Sequence, residues 1–159
     1  MLRRETFDYT VRARTTVDAA RAFLSDLTRQ GELHPLIVRV EPRPPRPGAV
    51  AGYAITDRLR WGPVRFRVTY RADVLRITAD EVVTEARQWP RTTVRNHTRL
   101  HVEPSGDLVR VDVRITLTAP KPLFAYAFRQ AREAHLALAD RLRPALEALP
   151  TTNAAGPAS

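Results

Sequence analysis

Phe7, Tyr9, Val11 and Ala13 fall on one side of residues 5–14, with polar groups on the other. A period of two marks a half-buried β-strand. The period then lengthens. Ala19, Ala20, Phe23, Leu24 and Leu27 gather on one broad side of residues 17–29, which predicts an amphipathic helix. Thr15 and Thr16 precede it as N-cap candidates, and Asp18 stands in the first turn, where the helix dipole favours an acid. Gly31 and Pro35 punctuate its end and leave room for one short further turn.

Strands follow. Residues 36–42 read as a strand that the run PRPPRPG at 42–48 ends, since proline forbids both helix and central strand there. Residues 50–61 turn Tyr53, Ile55, Asp57, Leu59 and Trp61 one way and Thr56, Arg58 and Arg60 the other. Gly62-Pro63 predicts a tight turn. Residues 64–75 show the cleanest alternation, with Phe66, Val68, Tyr70 and Ala72 against Arg65, Arg67, Thr69 and Arg71. Residues 79–88 predict a strand of uncertain register. Residues 91–103 set Val94, Asn96, Thr98 and Leu100 against Arg95, His97, Arg99 and His101. A turn at Pro104–Asp107 leads to a strand over 108–118.

The chain closes on one long helix. Phe124, Phe128, Ala131, His135, Leu138, Leu142 and Leu149 fall within one sector of ~80°. Pro144 predicts a kink or break near residues 140–144, because it removes the bond to the carbonyl of Asp140. Residues 1–149 are expected to form one domain and 150–159 a disordered tail. Helices segregated from a run of hairpin strands predict an α+β fold: about seven antiparallel strands in a curved sheet around the long C-terminal helix, with one or two short helices after strand 1. A strongly curved sheet gripping one helix leaves space between them.

Composition narrows the chemistry. The chain has no cysteine, which removes disulfides, thiolate metal sites and thiol nucleophiles. Ser25, Ser105 and Ser159 are its only serines, and none stands in a nucleophile pattern. There is no apolar run long enough for a membrane span and no signal-like N-terminus, so a cytoplasmic location is expected. The net charge is +9, and Lys121 is the only lysine among 26 basic residues. HExxH, P-loop and GxGxxG patterns are absent, so neither a metal nor a nucleotide cofactor is expected. His97 and His101 look like a metal pair, but four residues along a strand place them ~13 Å apart. Two ligands of one zinc lie within ~4 Å of each other.

Three segments carry a resemblance: TFDYTVRARTTVDAARAFLSDL, VRFRVTYRADVL and APKPLFAYAFRQAREAHLALADRL. With them, residues 5–149 resemble the START-like, Bet v 1-like (SRPBCC) superfamily, and within it the polyketide cyclase/dehydrase and lipid-transport group. The resemblance implies a helix-grip fold with a deep, largely apolar cavity between the sheet and the last helix. Such cavities hold sterols, lipids, quinones, plant hormones or aromatic polyketides. Some members are aromatase/cyclases; many are carriers, sensors or partners of macromolecules. The resemblance supplies no catalytic residue by position.

The expected partner is therefore a hydrophobic or aromatic small molecule. Tyr53, Asp57, Tyr70, Asn96 and Thr98 are polar groups on inward strand faces, and a buried polar group without a partner costs roughly 1–3 kcal/mol. A ligand-lined cavity would explain several at once. Trp61, Phe66, Phe124 and Phe128 would supply apolar walls, and His135, on the apolar side of the long helix, would meet a ligand or a core partner. His135 and Tyr70 are the candidates for proton transfer. His34 and Trp89 are expected at the cavity mouth. The competing reading is a docking face for RNA, ribosome or anionic membrane, built from Arg58, Arg60, Arg65, Arg67, Arg71, Arg95, Arg99, Arg110 and Arg114 on the outer sheet face.

Overall fold

Alternation decides the sheet. The computed structural model describes residues 1–151; the tail expected over 150–159 lies outside the described residues apart from its first two. Seven strands form: β1 (Leu2–Ala13), β2 (Ile37–Arg43), β3 (Ala51–Trp61), β4 (Val64–Ile77), β5 (Glu81–Gln88), β6 (Thr92–Val102) and β7 (Val109–Pro120). They lie side by side in the order β1-β7-β6-β5-β4-β3-β2, with every neighbouring pair antiparallel. Five consecutive hairpins build most of this order, and β1 closes it by pairing along β7 from Leu2↔Pro120 to Ala13↔Val109. Gly62, at φ 59°, makes the β3–β4 turn that a side chain would strain. Register shifts at Ile37/Arg39 and Val74/Arg76 add bends to a curved sheet.

Of the one or two short helices expected after β1, two form. α1 (Val17–Ser25) ends at Asp26, and α2 (Leu27–Gly31) begins there. Asp26 is extended (φ −101°, ψ 99°), and its carboxylate accepts from the Thr28 amide at 3.0 Å. A short acidic side chain caps a helix better than it continues one, so the chain restarts at this residue. Thr16 is the N-cap of α1, accepting from the Ala19 amide at 3.1 Å.

α3 (Lys121–Glu147) continues through Pro144, so of the expected kink or break no break forms. The lost backbone bond and ring clash cost ~3 kcal/mol. Leu142 and Leu146 flank the proline and are fully buried, each contributing ~1.5–3 kcal/mol by burial, which offsets that cost.

α3 packs against β1 and β7, while α1 lies over β5 and β6 and α2 over β2. Three apolar clusters result. The largest joins Phe7, Val11, Phe23, Leu100, Ile115 and Leu142. A second gathers Leu27, Tyr53, Ile55, Ala72, Val74 and Val82 beneath α2. The third, Leu117, Ala119 and Phe124, closes the start of α3.

Leu142→Ala is expected to destabilise the fold by ~2–5 kcal/mol, because its buried methyls anchor α3 to the largest cluster. Val50→Ala, at a 57% exposed site, should change stability by less than ~0.5 kcal/mol. Urea melts followed by circular dichroism check both; equal midpoints for the two variants would refute the account.

Candidate functional site: a cavity between the sheet and α3

The first two clusters do not meet. Between them lies a cavity of about 570 Å³, roofed by α3 and floored by β3, β4, β5 and β6. This lies inside the ~300–1,000 Å³ range of small-molecule sites. The roof is lined by Leu123, Ala127, Ala131 and Ala134, and the floor by Leu59, Phe66 and Val68 among others. The alanines matter: four-carbon side chains at their positions would fill the space they leave. Trp61 and Trp89 stand at the rim, 56% and 88% exposed. Trp61 stacks on Tyr126 of α3 with centroids 4.7 Å apart, and the Tyr126 hydroxyl donates to the Arg60 carbonyl at 3.1 Å. These contacts tie the β3–β4 hairpin to the helix and frame the mouth.

Two polar pairs interrupt the apolar walls. On the floor, the Tyr70 hydroxyl donates to Asp57 Oδ1 at 3.1 Å. Burial pushes the Asp57 carboxyl up to about 6, opposed by that hydrogen bond. Burial, and then the Asp57 charge, push the Tyr70 phenol well above its usual value. Opposite, His34 and His135 meet edge to face with ring centroids 5.4 Å apart. Burial holds His135 down to about 4. His34 is held down to about 3, by burial first and then by His135 and Arg141. Both rings are therefore neutral near pH 7. The His34 Nδ1 accepts the Leu36 amide at 3.3 Å, while the buried His135 Nδ1 has no hydrogen-bond partner among the described residues.

Eight of the residues singled out from sequence line this cavity: His34, Asp57, Trp61, Phe66, Tyr70, Trp89, Asn96 and His135. His34, expected at the mouth, lies against His135. Four others sit elsewhere. Tyr53 is packed with Leu27 and Ala72 under α2. Thr98 is buried and donates to Asn96 Oδ1 at 2.9 Å. Phe124 and Phe128 stack on each other at 5.5 Å, and Phe128 meets Phe7 at 5.7 Å. The reason is the seat of α3. Its phenylalanines fill the wedge toward β1 and β7, and its alanine flank faces the cavity. That flank was missed, although Ala127, Ala131 and Ala134 at helical spacing were its visible signal. His97 and His101 stand on the outer face, beside Glu81 and Asp112 respectively. No group of three His, Asp or Glu among the described residues is arranged to hold a metal.

Solved structures share this architecture. A START superfamily protein from Mycobacterium smegmatis superposes with a TM-score of 0.68 at 14% identity, over 91% of this chain and 99% of that one. The di-domain ARO/CYC StfQ, from the steffimycin biosynthetic pathway, gives 0.68 at 17% identity over 91% of this chain and 50% of its own. Zhui aromatase/cyclase from Streptomyces sp. R1128 gives 0.59 at 12% identity, over 88% and 94%. The chain has the helix-grip fold. It spans about half the length of the two di-domain structures it matches. No protein-family model matches the sequence, and no curated protein matches it closely enough to count as a relative.

Outside the grip, the arginines of the outer sheet face divide in two. Arg71, Arg99, Arg110 and Arg114 stand beside carboxylates: Asp73, Glu81, Asp112 and Asp8 respectively. Arg58, Arg60, Arg65, Arg67 and Arg95 do not, among the described residues, and the β3–β4 register sets Arg58 opposite Arg67 and Arg60 opposite Arg65. No helix among the described residues is long and apolar enough to cross a membrane.

The buried histidines of the grip make acid stability predictable. Between about pH 6.5 and 4 the unfolded chain binds protons on His34 and His135 that the folded chain refuses, so stability falls as the pH falls. Asp57 acts oppositely, because its folded carboxyl keeps a proton that the unfolded one releases below pH 6. Two groups outweigh one. The melting temperature should drop by several degrees from pH 7 to pH 5, and His135→Gln should shrink the drop. An unchanged or higher melting temperature at pH 5 would contradict this.

Proposed function

We propose that the protein binds a hydrophobic or aromatic small molecule, of lipid, polyketide or quinone type, in the cavity between the sheet and α3. One observation carries the reading: a 570 Å³ space with mostly apolar walls and a few polar anchors, opening at two tryptophans. Apolar area removed from water supplies affinity at ~25 cal/mol per Å². Tyr70, Asn96 and His135 fix orientation. A cyclase-type reaction would use the same cavity, holding a reactive chain in one geometry with Tyr70 and His135 as proton carriers. The fold it shares with START and ARO/CYC structures supports the reading.

Native mass spectrometry of the purified protein, followed by solvent extraction, tests it. A stoichiometric small-molecule adduct is expected. Ala131→Trp places an indole in the cavity and should abolish the adduct while leaving the far-ultraviolet circular dichroism unchanged. An adduct that survives Ala131→Trp would put binding elsewhere.

A second reading, docking of RNA or ribosome on the outer face, is favoured by the four arginines of the β3–β4 hairpin. Like charges set directly opposite each other on a sheet are destabilising unless an anion joins them. RNA retention should then fall steeply between about 50 and 200 mM salt, and Arg58→Glu with Arg67→Glu should remove it at the lower salt. Retention that ignores salt would dismiss this reading.

A further inference from the structure

The chain carries 26 Lys and Arg against 17 Asp and Glu, yet among the described residues no arginine or lysine lines the cavity. Asp57 is the one formally charged side chain that does. The strand period explains the segregation. Arg58 and Arg67 are the immediate neighbours of Asp57 and Val68, which pair across β3 and β4, and a period of two sends both arginines to the outer face. The groups that join Asp57 around the cavity are Tyr70 from β4, His34 after α2 and His135 from α3, none of them cationic near pH 7.

Among the described residues no cation stands beside the Asp57 carboxylate. Its one protein partner among the described residues is the Tyr70 hydroxyl, a single neutral donor. A carboxylate offers about four acceptor sites, so most of its capacity faces the cavity. Burying a charge without a counter-charge is costly, and a ligand that supplies one relieves the cost. Inward residues of the β3–β4 hairpin form a ladder toward the rim: Asp57/Val68, then Leu59/Phe66, then Trp61/Val64. Each rung is ~6.6 Å, so Asp57 lies ~13 Å along the strand from Trp61, with an aromatic ring between.

Resting on the ligand-binding reading, we propose that the cavity selects an organic cation: a protonated amine on a planar apolar body, its ammonium on Asp57 and its rings along Phe66 toward Trp61. The same charge arrangement rejects carboxylates, which would meet Asp57 with no arginine to compensate.

The test is displacement of Nile red, a neutral probe, by three naphthalenes at pH 7.5: naphthylethylamine, naphthylethanol and naphthylacetate. A hydrogen bond to a charged group is worth roughly 1.5–3 kcal/mol, so the amine should displace the probe at least ~10-fold more tightly than the alcohol. The carboxylate should be the weakest of the three. Asp57→Asn should bring the amine down to the alcohol, and Tyr70→Phe, which keeps the carboxylate, should preserve the amine's lead. If the probe binds and the carboxylate equals or beats the amine, the charge selection is wrong and the cavity reading stands. If neither Nile red nor any of the three binds, the cavity reading falls and the selection with it.

Discussion

One helix is too narrow for this sheet. Seven strands at ~4.8 Å spacing span roughly 29 Å, and a helix with its side chains covers ~10 Å. α3 must therefore choose, and its phenylalanines commit it to β1 and β7. α1 and α2 cover part of the remainder, each seated by its own cap. What lies between them, over the middle of β3 to β6, is covered from above by alanines that do not reach the floor. The cavity is the geometric residue of that mismatch, and the division of the core into separate clusters is its counterpart.

The same backbone period that builds the sheet sorts charge. Arginine is abundant, but a strand offers it only two directions, and all the arginines of β3 and β4 point away from α3. An arginine-rich protein thereby acquires a cavity whose one formally charged lining residue, among those described, is an acid. The outer face bears the complementary burden, partly neutralised by Asp8, Asp73, Glu81 and Asp112 and partly left as the four-arginine hairpin.

Most of the architecture was readable because alternation over eight to fourteen residues leaves little choice of element or of face. Asp26 was not read, because its role as a cap appears only when the amide of Thr28 is seen to turn toward it. No break forms at Pro144, because the burial of Leu142 and Leu146 on either side offsets the local backbone cost that the sequence makes visible. For the cavity, eight of twelve proposed residues face it, since inward strand positions follow from parity alone. Parity cannot say how far α3 shifts sideways over the sheet. That shift separates Phe124 and Phe128 from the lining and brings in Leu123, Ala127 and Ala134. Tyr53 and Thr98 have the right parity but lie where α2 and neighbouring side chains already cover the sheet.

The chain has two tryptophans, and both stand at the rim: Trp61 stacked on Tyr126, Trp89 almost fully in water. None is in any of the apolar clusters. Intrinsic fluorescence of this protein is therefore an optical readout of the entrance and is nearly blind to the core. A change in emission reports an event at the doorway, and an emission spectrum that barely moves on denaturation is compatible with complete loss of the fold.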